Sequence, residues 1–415
     1  MTIQAPSTGD VSTQGRMVIN SSAVEIVASR TAYAARKANG GIIAWGVGAA
    51  YAGADAYSAP AVPIHTLVGN QAAFAGIDAN GGVIAFGSSG NGNNVVDDTK
   101  CHGYSRQLSA NVTTIVASAA AFAALKTDGS VYAWGNTYTA AGVSSENNPE
   151  LMNVIQVAAT RTAFAALLSS GKVVTWGSSY NGGDSSGVAL ALQSDVVYVL
   201  GLPGAFVAFK DNYRIVVWGH PDSGGDASSV SAQLSDTPIA SIAYTSGAMI
   251  AVTRNGSVIS WGKVDRGGDV SAVQSQLANV TAVVGNKVAF AAITGGGKVV
   301  AWGETDSGGE IPAGLAGSLS QDVVSIRATN RAFAALKSTG EVVVWGASSY
   351  GGSLGGSGDL ASHLSSGVTL LCSNEAAFTA IKAGEGRAVA WGHSSSIPFA
   401  GLVTGVDFTN VTSCK

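Results

Sequence analysis

The chain has 415 residues, of which 46% are hydrophobic and 12% are charged, and 55 of them are glycine. This composition excludes a disordered chain and predicts an apolar core with many turns. The net charge of −4 excludes a strong electrostatic attraction to nucleic acid, and the apolar stretches are too short or too often broken by Gly and Pro for a transmembrane helix.

Residues 1–16 form a polar amino-terminal segment without a repeated pattern. They lack the apolar core of a signal peptide. If the protein is secreted, we expect this sequence to be a mature or partial chain.

Residues 17–404 contain nine copies of a strand-like phrase that ends in an aromatic residue followed by Gly. All eight tryptophans occupy this aromatic position, and one Phe fills the remaining place. Consecutive copies are 41 to 48 residues apart, and a period near 42 residues predicts an array of structural repeats. The aromatic residues of repeats 1 to 9 are Trp45, Phe86, Trp134, Trp176, Trp218, Trp261, Trp302, Trp345 and Trp391.

Each repeat also carries the pattern of a β-hairpin. In repeat 3 an apolar run at residues 121–126 is followed by a short turn and a second run at residues 130–134. Gly accepts the positive φ of tight turns, and it stands five residues before the aromatic residue in every repeat except the fifth, where Tyr213 replaces it. A further strand is predicted before each hairpin, as at residues 323–328.

A large apolar residue precedes the repeated aromatic residue by twelve positions, or by thirteen in repeat 9. We predict that each Trp is largely buried beside this residue. Small residues at alternate hairpin positions would let neighbouring sheets approach closely while the aromatic residues fill the space between them. The apolar residues are Tyr33, Phe74, Phe122, Phe164, Phe206, Met249, Phe290, Phe333 and Phe378.

Residues 130–135, Ser-Val-Tyr-Ala-Trp-Gly, resemble the repeat of the regulator of chromosome condensation family. The likeness recurs nine times from about residue 17 to residue 392 and implies a β-propeller with mostly four-stranded blades. This chain is similar to a divergent, short-repeat member. Ala163 and Ala289 stand where the family often has His, and the family's Gln-Leu-Gly phrase after Trp-Gly is missing.

Nine repeats exceed the four to eight blades that are usual in propellers. We therefore predict an all-β repeat protein of nine Trp-Gly hairpin units that is β-propeller-like, with a closed ring favoured and an open solenoid as the alternative. Residues 405–415 read as a partial tenth unit or closing strand. We expect this strand to pair with the first repeat or with a neighbouring molecule.

Paired glycines stand six and seven residues after the Trp of repeats 4 to 8. The paired glycines can supply turn geometry while the following acid caps the turn. Alternatively, the acids form a rim that binds a protein or glycan partner. Single carboxylates a whole repeat apart make a poor Ca²⁺ site, so we expect a broad surface without metal. The acids of this candidate binding rim are Asp184, Asp226, Asp269 and Glu310.

The remaining candidate residues predict little chemistry. The five histidines have no metal-ligand spacing, and the ligand-type cluster at residues 97–102 reads as a solvated loop, so neither a metal nor a cofactor is expected. Cys101, Cys372 and Cys414 allow one disulfide and one thiol, or no disulfide. The candidate N-glycosylation sites are Asn20, Asn111, Asn255, Asn279 and Asn410.

An enzyme needs unlike residues that converge, whereas this chain distributes like residues evenly. We therefore predict no enzymatic activity and no catalytic residue. The expected function is that of an extracellular or cell-surface scaffold that binds a protein or glycan partner through repeated loops. One alternative is a subunit of a fibre or surface layer that assembles head to tail as a homo-oligomer. Family resemblance supplies another, nucleotide exchange on a small GTPase.

Overall fold

The part of the chain that the structure describes forms nine antiparallel β-sheets, and the rest of its regular structure consists of short helical turns. This arrangement confirms the predicted all-β repeat fold. The polar amino-terminal segment and the predicted closing strand lie outside the described residues. The computed structural model describes residues 23–28, 32–46, 63–88, 106–136, 142–355, 358–393 and 401–403.

Every sheet contains three consecutive strands, which confirms the strand predicted before each hairpin. The first strands are β1 (Ala23–Ala28), β4 (Ile64–Gly69), β7 (Val112–Ala117), β10 (Val154–Ala159), β13 (Val196–Gly201), β16 (Ile239–Tyr244), β19 (Val280–Gly285), β22 (Val323–Ala328) and β25 (Leu370–Ser373). The second strands are β2 (Ala32–Lys37), β5 (Ala73–Asp78), β8 (Ala121–Lys126), β11 (Ala163–Leu168), β14 (Ala205–Lys210), β17 (Ala248–Thr253), β20 (Ala289–Thr294), β23 (Ala332–Lys337) and β26 (Ala377–Lys382). The third strands are β3 (Ile42–Gly46), β6 (Val83–Gly87), β9 (Val131–Gly135), β12 (Val173–Gly177), β15 (Ile215–Gly219), β18 (Val258–Gly262), β21 (Val299–Gly303), β24 (Val342–Gly346) and β27 (Arg387–Gly392).

In the described residues, eight sheets have three strands and the ninth has a fourth, β28 (Gly401–Val403), which pairs with β27. The mostly four-stranded blades implied by the family resemblance are therefore not found in the described residues. Where the connections are described, they contain 3₁₀ turns and two short helices, α1 (Ser231–Asp236) and α2 (Gly358–Leu364). Some of these connections bond back to the third strand, as where Val143 accepts the N–H of Ala133 and Leu319 accepts that of Val299.

The predicted hairpin turns are confirmed by their backbone angles. The turn glycines have φ values from 62° at Gly386 to 81° at Gly340. Their carbonyl groups also join repeats: Gly171, for example, accepts a hydrogen bond from the N–H of Val196, the first strand residue of the next repeat (3.1 Å). Tyr213 takes the same left-handed conformation, with φ 65°, although its side chain is bulky.

The core lies between adjacent sheets. In repeat 4, Phe164 and Trp176 are cross-strand partners with ring centroids 5.4 Å apart, and both are buried. They pack against the small residues of repeat 3, including Ala121 and Ala123. The same arrangement of ring pair and small residues recurs in repeats 3, 5, 7, 8 and 9, which confirms the predicted burial of their tryptophans.

The chain divides into two compact units. The first ends at His220 and holds repeats 1 to 5, and the second begins at Pro221 and holds repeats 6 to 9.

Candidate functional site

The paired glycines lie in a loop that follows the third strand, which we call the Gly-Gly loop. In repeat 6 it begins with a 3₁₀ turn, Val264–Arg266, and continues with Gly267 in the left-handed conformation at φ 88°. A Cβ atom on Gly267 would lie 2.6 Å from the ring of Phe290 in the next repeat. The first glycines of the other Gly-Gly loops meet the next repeat equally closely, at 2.7 to 2.8 Å, so glycine is required there.

The carbonyl of this first glycine is the hydrogen-bond acceptor for the tryptophan of the next repeat. Trp302 Nε1 donates to the carbonyl of Gly267 at 3.0 Å. The sequence showed both residue types but gave no sign that they bond. The same hydrogen bond joins Trp218 to Gly182, Trp261 to Gly224, Trp345 to Gly308 and Trp391 to Gly351, at 2.8 to 3.1 Å.

The acid after the glycine pair is not needed for this hydrogen bond. Ser353 stands in its place after repeat 8, where Trp391 still bonds to Gly351. Asp269 instead accepts the backbone N–H of Ser271 at 2.8 Å, as Asp184 accepts that of Ser186 at 2.9 Å. These contacts fit the interpretation that the acid caps the turn, while leaving the carboxylates exposed to a partner.

The same contacts influence how readily these carboxyl groups bind a proton. Hydrogen bonds from the backbone and then the side chain of Ser271 hold the pKa of Asp269 below its usual range, and Ser186 does the same for the pKa of Asp184. For Asp226, the side chain of Ser228 lowers the pKa most, followed by its backbone N–H. The three aspartates therefore stay negatively charged through mildly acidic pH.

Asp269 and Glu310 line the same open groove, which we call the Asp269–Glu310 groove. Its volume is about 500 Å³. The Gly-Gly loop of repeat 6 and the residues after it form one side, the outer edge of β21 forms another, and Thr305, Gly309 and Glu310 close one end. The structure thus brings together two of the four predicted rim residues, whereas Asp184 and Asp226 do not line this groove.

An ion-pair network holds the loop at the Glu310 end of the groove. Arg331 Nη2 lies 3.2 Å from Glu304 Oε1, and Arg331 Nε donates to the hydroxyl of Ser307 at 2.8 Å. Hydrogen bonding from Ser307, with a smaller effect from Arg331, holds the pKa of Glu304 below its usual range. Arg331 therefore contacts both Glu304 and Ser307, the residues at the two ends of the loop's 3₁₀ turn.

In two of the candidate glycosylation sites, both the Asn and the Thr contribute to the local structure. Asn111 and Asn279 precede a first strand and have φ values of 65° and 52°, a conformation that Asn tolerates better than most residues. Thr113 and Thr281, the hydroxyl residues of these sites, donate to backbone carbonyls across a β-bulge.

All three described candidate asparagines, including Asn255 in a hairpin turn, are exposed. Their glycosylation stays a prediction. Asn20 and Asn410 lie outside the described residues.

Cys372 is disulfide-bonded, so the alternative without a disulfide is wrong. Cys101 and Cys414 lie outside the described residues, and so does the cluster at residues 97–102. In the described ranges, no three His, Cys, Asp or Glu side chains are grouped closely enough to hold a metal ion. None of the helices described is long and apolar enough to cross a membrane.

No family model and no curated protein matches this chain. Among solved structures, it is similar to the CRINKLY WD40 ectodomain of the Arabidopsis thaliana receptor kinase ACR4, with 13% identity over 68% of this chain and 96% of that chain and a TM-score of 0.37. It is also similar to Prp20p, the RCC1 protein of Saccharomyces cerevisiae, with 14% identity, coverage of 83% and 86%, and a TM-score of 0.39. The C-terminal domain of gp131 from bacteriophage phiKZ matches with 10% identity, coverage of 71% and 95%, and a TM-score of 0.29. At these identities and TM-scores, the likenesses assign neither a family nor an activity to this chain.

Proposed function

We propose that this chain is a non-catalytic scaffold, outside the cell or at its surface, that binds a protein or glycan partner through its Gly-Gly loops. The observation that carries the proposal is the Asp269–Glu310 groove, in which two carboxylates line an open cavity. The hydrogen bond between the indole and the glycine carbonyl forms without an acid after repeat 8, so joining the repeats does not account for these carboxylates.

Two further features support parts of this proposal. The disulfide bond of Cys372 favours an oxidising environment, because disulfides persist mainly in secreted and cell-surface proteins. The hydroxyl of Ser185, in a Gly-x-Ser-x-Gly phrase typical of serine hydrolases, receives a hydrogen bond from the hydroxyl of Thr175 at 3.0 Å. This contact to a neutral hydroxyl supports a structural role for Ser185.

Binding can be tested with the full chain and a variant that carries D184N, D226N, D269N and E310Q. Each protein is applied to a printed glycan array and to a displayed library of random octapeptides. We expect a glycan or peptide that binds the wild type and is lost in the variant, while both proteins melt at the same temperature, because Asn and Gln are tolerated in turns. If neither collection yields a ligand, or if the variant binds every ligand as well as the wild type, the proposal fails.

The non-catalytic part has a separate test on panels of ester, peptide and glycoside substrates. We expect no turnover above that of a heat-denatured sample. Robust turnover that Ser185→Ala abolishes would overturn this part of the proposal.

A further inference from the structure

On the outer edge of β21, the N–H of Val299 donates to the carbonyl of Leu319 at 2.9 Å, whereas the backbone of Ala301 lines the Asp269–Glu310 groove. In the pair of β20 and β21, Thr294 N–H donates to the carbonyl of Lys298 and Glu304 N–H donates to the carbonyl of Val288. Because backbone groups alternate along a strand, the even-numbered residues between Lys298 and Glu304 face β20. The N–H and C=O of Ala301 therefore point outward, and they have no hydrogen-bond partner among the described residues.

Repeat 3 fills the equivalent edge with its own chain. Ala133, like Ala301, is the residue before the Trp. Its N–H donates to the carbonyl of Val143 and its carbonyl accepts the N–H of Gly142, both at 2.9 Å. The edge of a third strand in this fold can therefore receive an additional antiparallel segment.

Repeat 9 fills the same edge with a regular strand. Gly401 in β28 pairs antiparallel with Ala390, again the residue before the Trp. Repeats 3 and 9 thus each place a segment at the position that Ala301 leaves open in repeat 7. An open strand edge of this kind recruits extended peptides in many binding proteins.

The charge of the groove indicates what the added segment carries. Among the described residues that line it, the charged ones are Asp269 and Glu310, and both are acidic. One oxygen of Asp269 accepts the Ser271 N–H, and a carboxylate has further lone pairs for a cation. Lysine or arginine in the added segment would complement this charge.

We propose that the groove binds an extended peptide of a partner protein, which adds as an antiparallel strand to the edge of β21 and places a lysine or arginine side chain against Asp269 and Glu310. The inference rests on the proposed function, because it names the partner class for the same loops. Two hydrogen bonds to Ala301 would provide backbone affinity, and the two carboxylates would provide selectivity.

The test uses peptides selected from the octapeptide library on the full wild-type chain. We expect the selected peptides to contain lysine or arginine and to bind at least about tenfold more weakly to A301P and to a D269N/E310Q variant. Proline at position 301 removes the outward N–H but no ladder hydrogen bond, and proline is tolerated on edge strands in this orientation. The matched control is S260P, at the equivalent edge position of repeat 6, and it should not change binding.

A second measurement does not depend on the folding of A301P. In the wild type, hydrogen exchange of the Ala301 amide should slow when the selected peptide binds. Unchanged exchange at Ala301, or equal binding by A301P and the wild type, overturns strand addition while leaving the loops as a binding surface. If only glycans bind and the four-acid variant loses them, the proposed function stands and this inference fails. Self-association that A301P abolishes would replace the partner peptide by a second copy of this chain and overturn the inference as stated.

Discussion

Trp176 and Trp302 occupy the same place in two repeats, but their indole N–H groups differ. Each ring lies 5.4 Å from its Phe partner and is nearly buried, at 6% and 4% exposure. Trp302 Nε1 donates to the Gly267 carbonyl, whereas Trp176 Nε1 has no hydrogen-bond partner in the described part of the chain.

This difference separates two contributions to the contact between repeats. Both rings are buried to a similar extent, so the packing of aromatic residues against small residues does not depend on a Gly-Gly loop. The loop adds an acceptor for a buried N–H, and leaving such a group unpaired costs about 1–3 kcal/mol. Repeat 3 has no glycine pair six and seven residues after its Trp, and the following repeat contains the unpaired indole.

The largest expected effect is the loss of stability when the buried ring is removed, which tests the packing that both repeats share. Trp176→Ala and Trp302→Ala should each lower the free energy of unfolding by about 3–5 kcal/mol, because each removes a buried ring and leaves a cavity. Urea denaturation followed by circular dichroism measures the change. A loss below about 1 kcal/mol at either site would contradict the common core assignment.

Gly267→Ala should have the next largest effect. The new Cβ would lie 2.6 Å from Phe290, and Ala must take φ 88°, so we expect a loss of about 2–4 kcal/mol. The matched control is Gly187→Ala, since a Cβ there meets nothing within 4 Å and the residue has no positive φ. The control should be neutral or slightly stabilising, and equal losses in both variants would rule out the close approach as the cause.

Trp→Phe substitutions isolate the hydrogen bond. Both remove the indole N–H and shrink the ring, but only Trp302→Phe leaves a buried carbonyl, that of Gly267, without its donor. We expect Trp302→Phe to cost about 1 kcal/mol more than Trp176→Phe. The two free energies of unfolding give this difference directly, and a difference of zero would mean that the indole hydrogen bond adds no net stability.

Tyr213→Gly extends the comparison to the hairpin turns. Gly relieves the left-handed strain of Tyr213 at φ 65°, and we expect a gain of about 0.5–1 kcal/mol after the greater freedom of Gly in the unfolded chain is counted. The opposite change, Gly171→Ala, should destabilise, because its Cβ would lie 2.7 Å from the Asp195 nitrogen. A loss of stability in Tyr213→Gly would show that the Tyr side chain contributes more than the strain costs.

The sequence was sufficient for the period, the hairpin turns and the aromatic pairs, because each follows from residues at fixed positions within one repeat. The indole hydrogen bond joins atoms of residues 35 to 40 positions apart, in two repeats, and a glycine carbonyl leaves no mark in the sequence. Asp269 and Glu310 were predicted as members of a rim, but their shared groove depends on where one loop lies beside the next repeat. The open edge at Ala301 was missed for the same reason.

The smallest expected effect is the pH dependence of stability from the aspartates that follow the glycine pairs. Hydrogen bonds from Ser186, Ser228 and Ser271 lower the pKa values of three aspartates in the folded protein, so their charged forms stabilise the fold above the usual Asp pKa of about 4. This contribution is lost as pH falls through the lowered folded-state pKa values. Between about pH 5 and pH 2, the melting temperature of a variant with D184N, D226N and D269N should therefore fall less than that of the wild type. At neutral pH the two should melt within a few degrees, because Asn can accept the same backbone N–H. Parallel melting curves across the whole pH range would show that these carboxylates do not contribute to folding, and would leave ligand binding as the property to test for them.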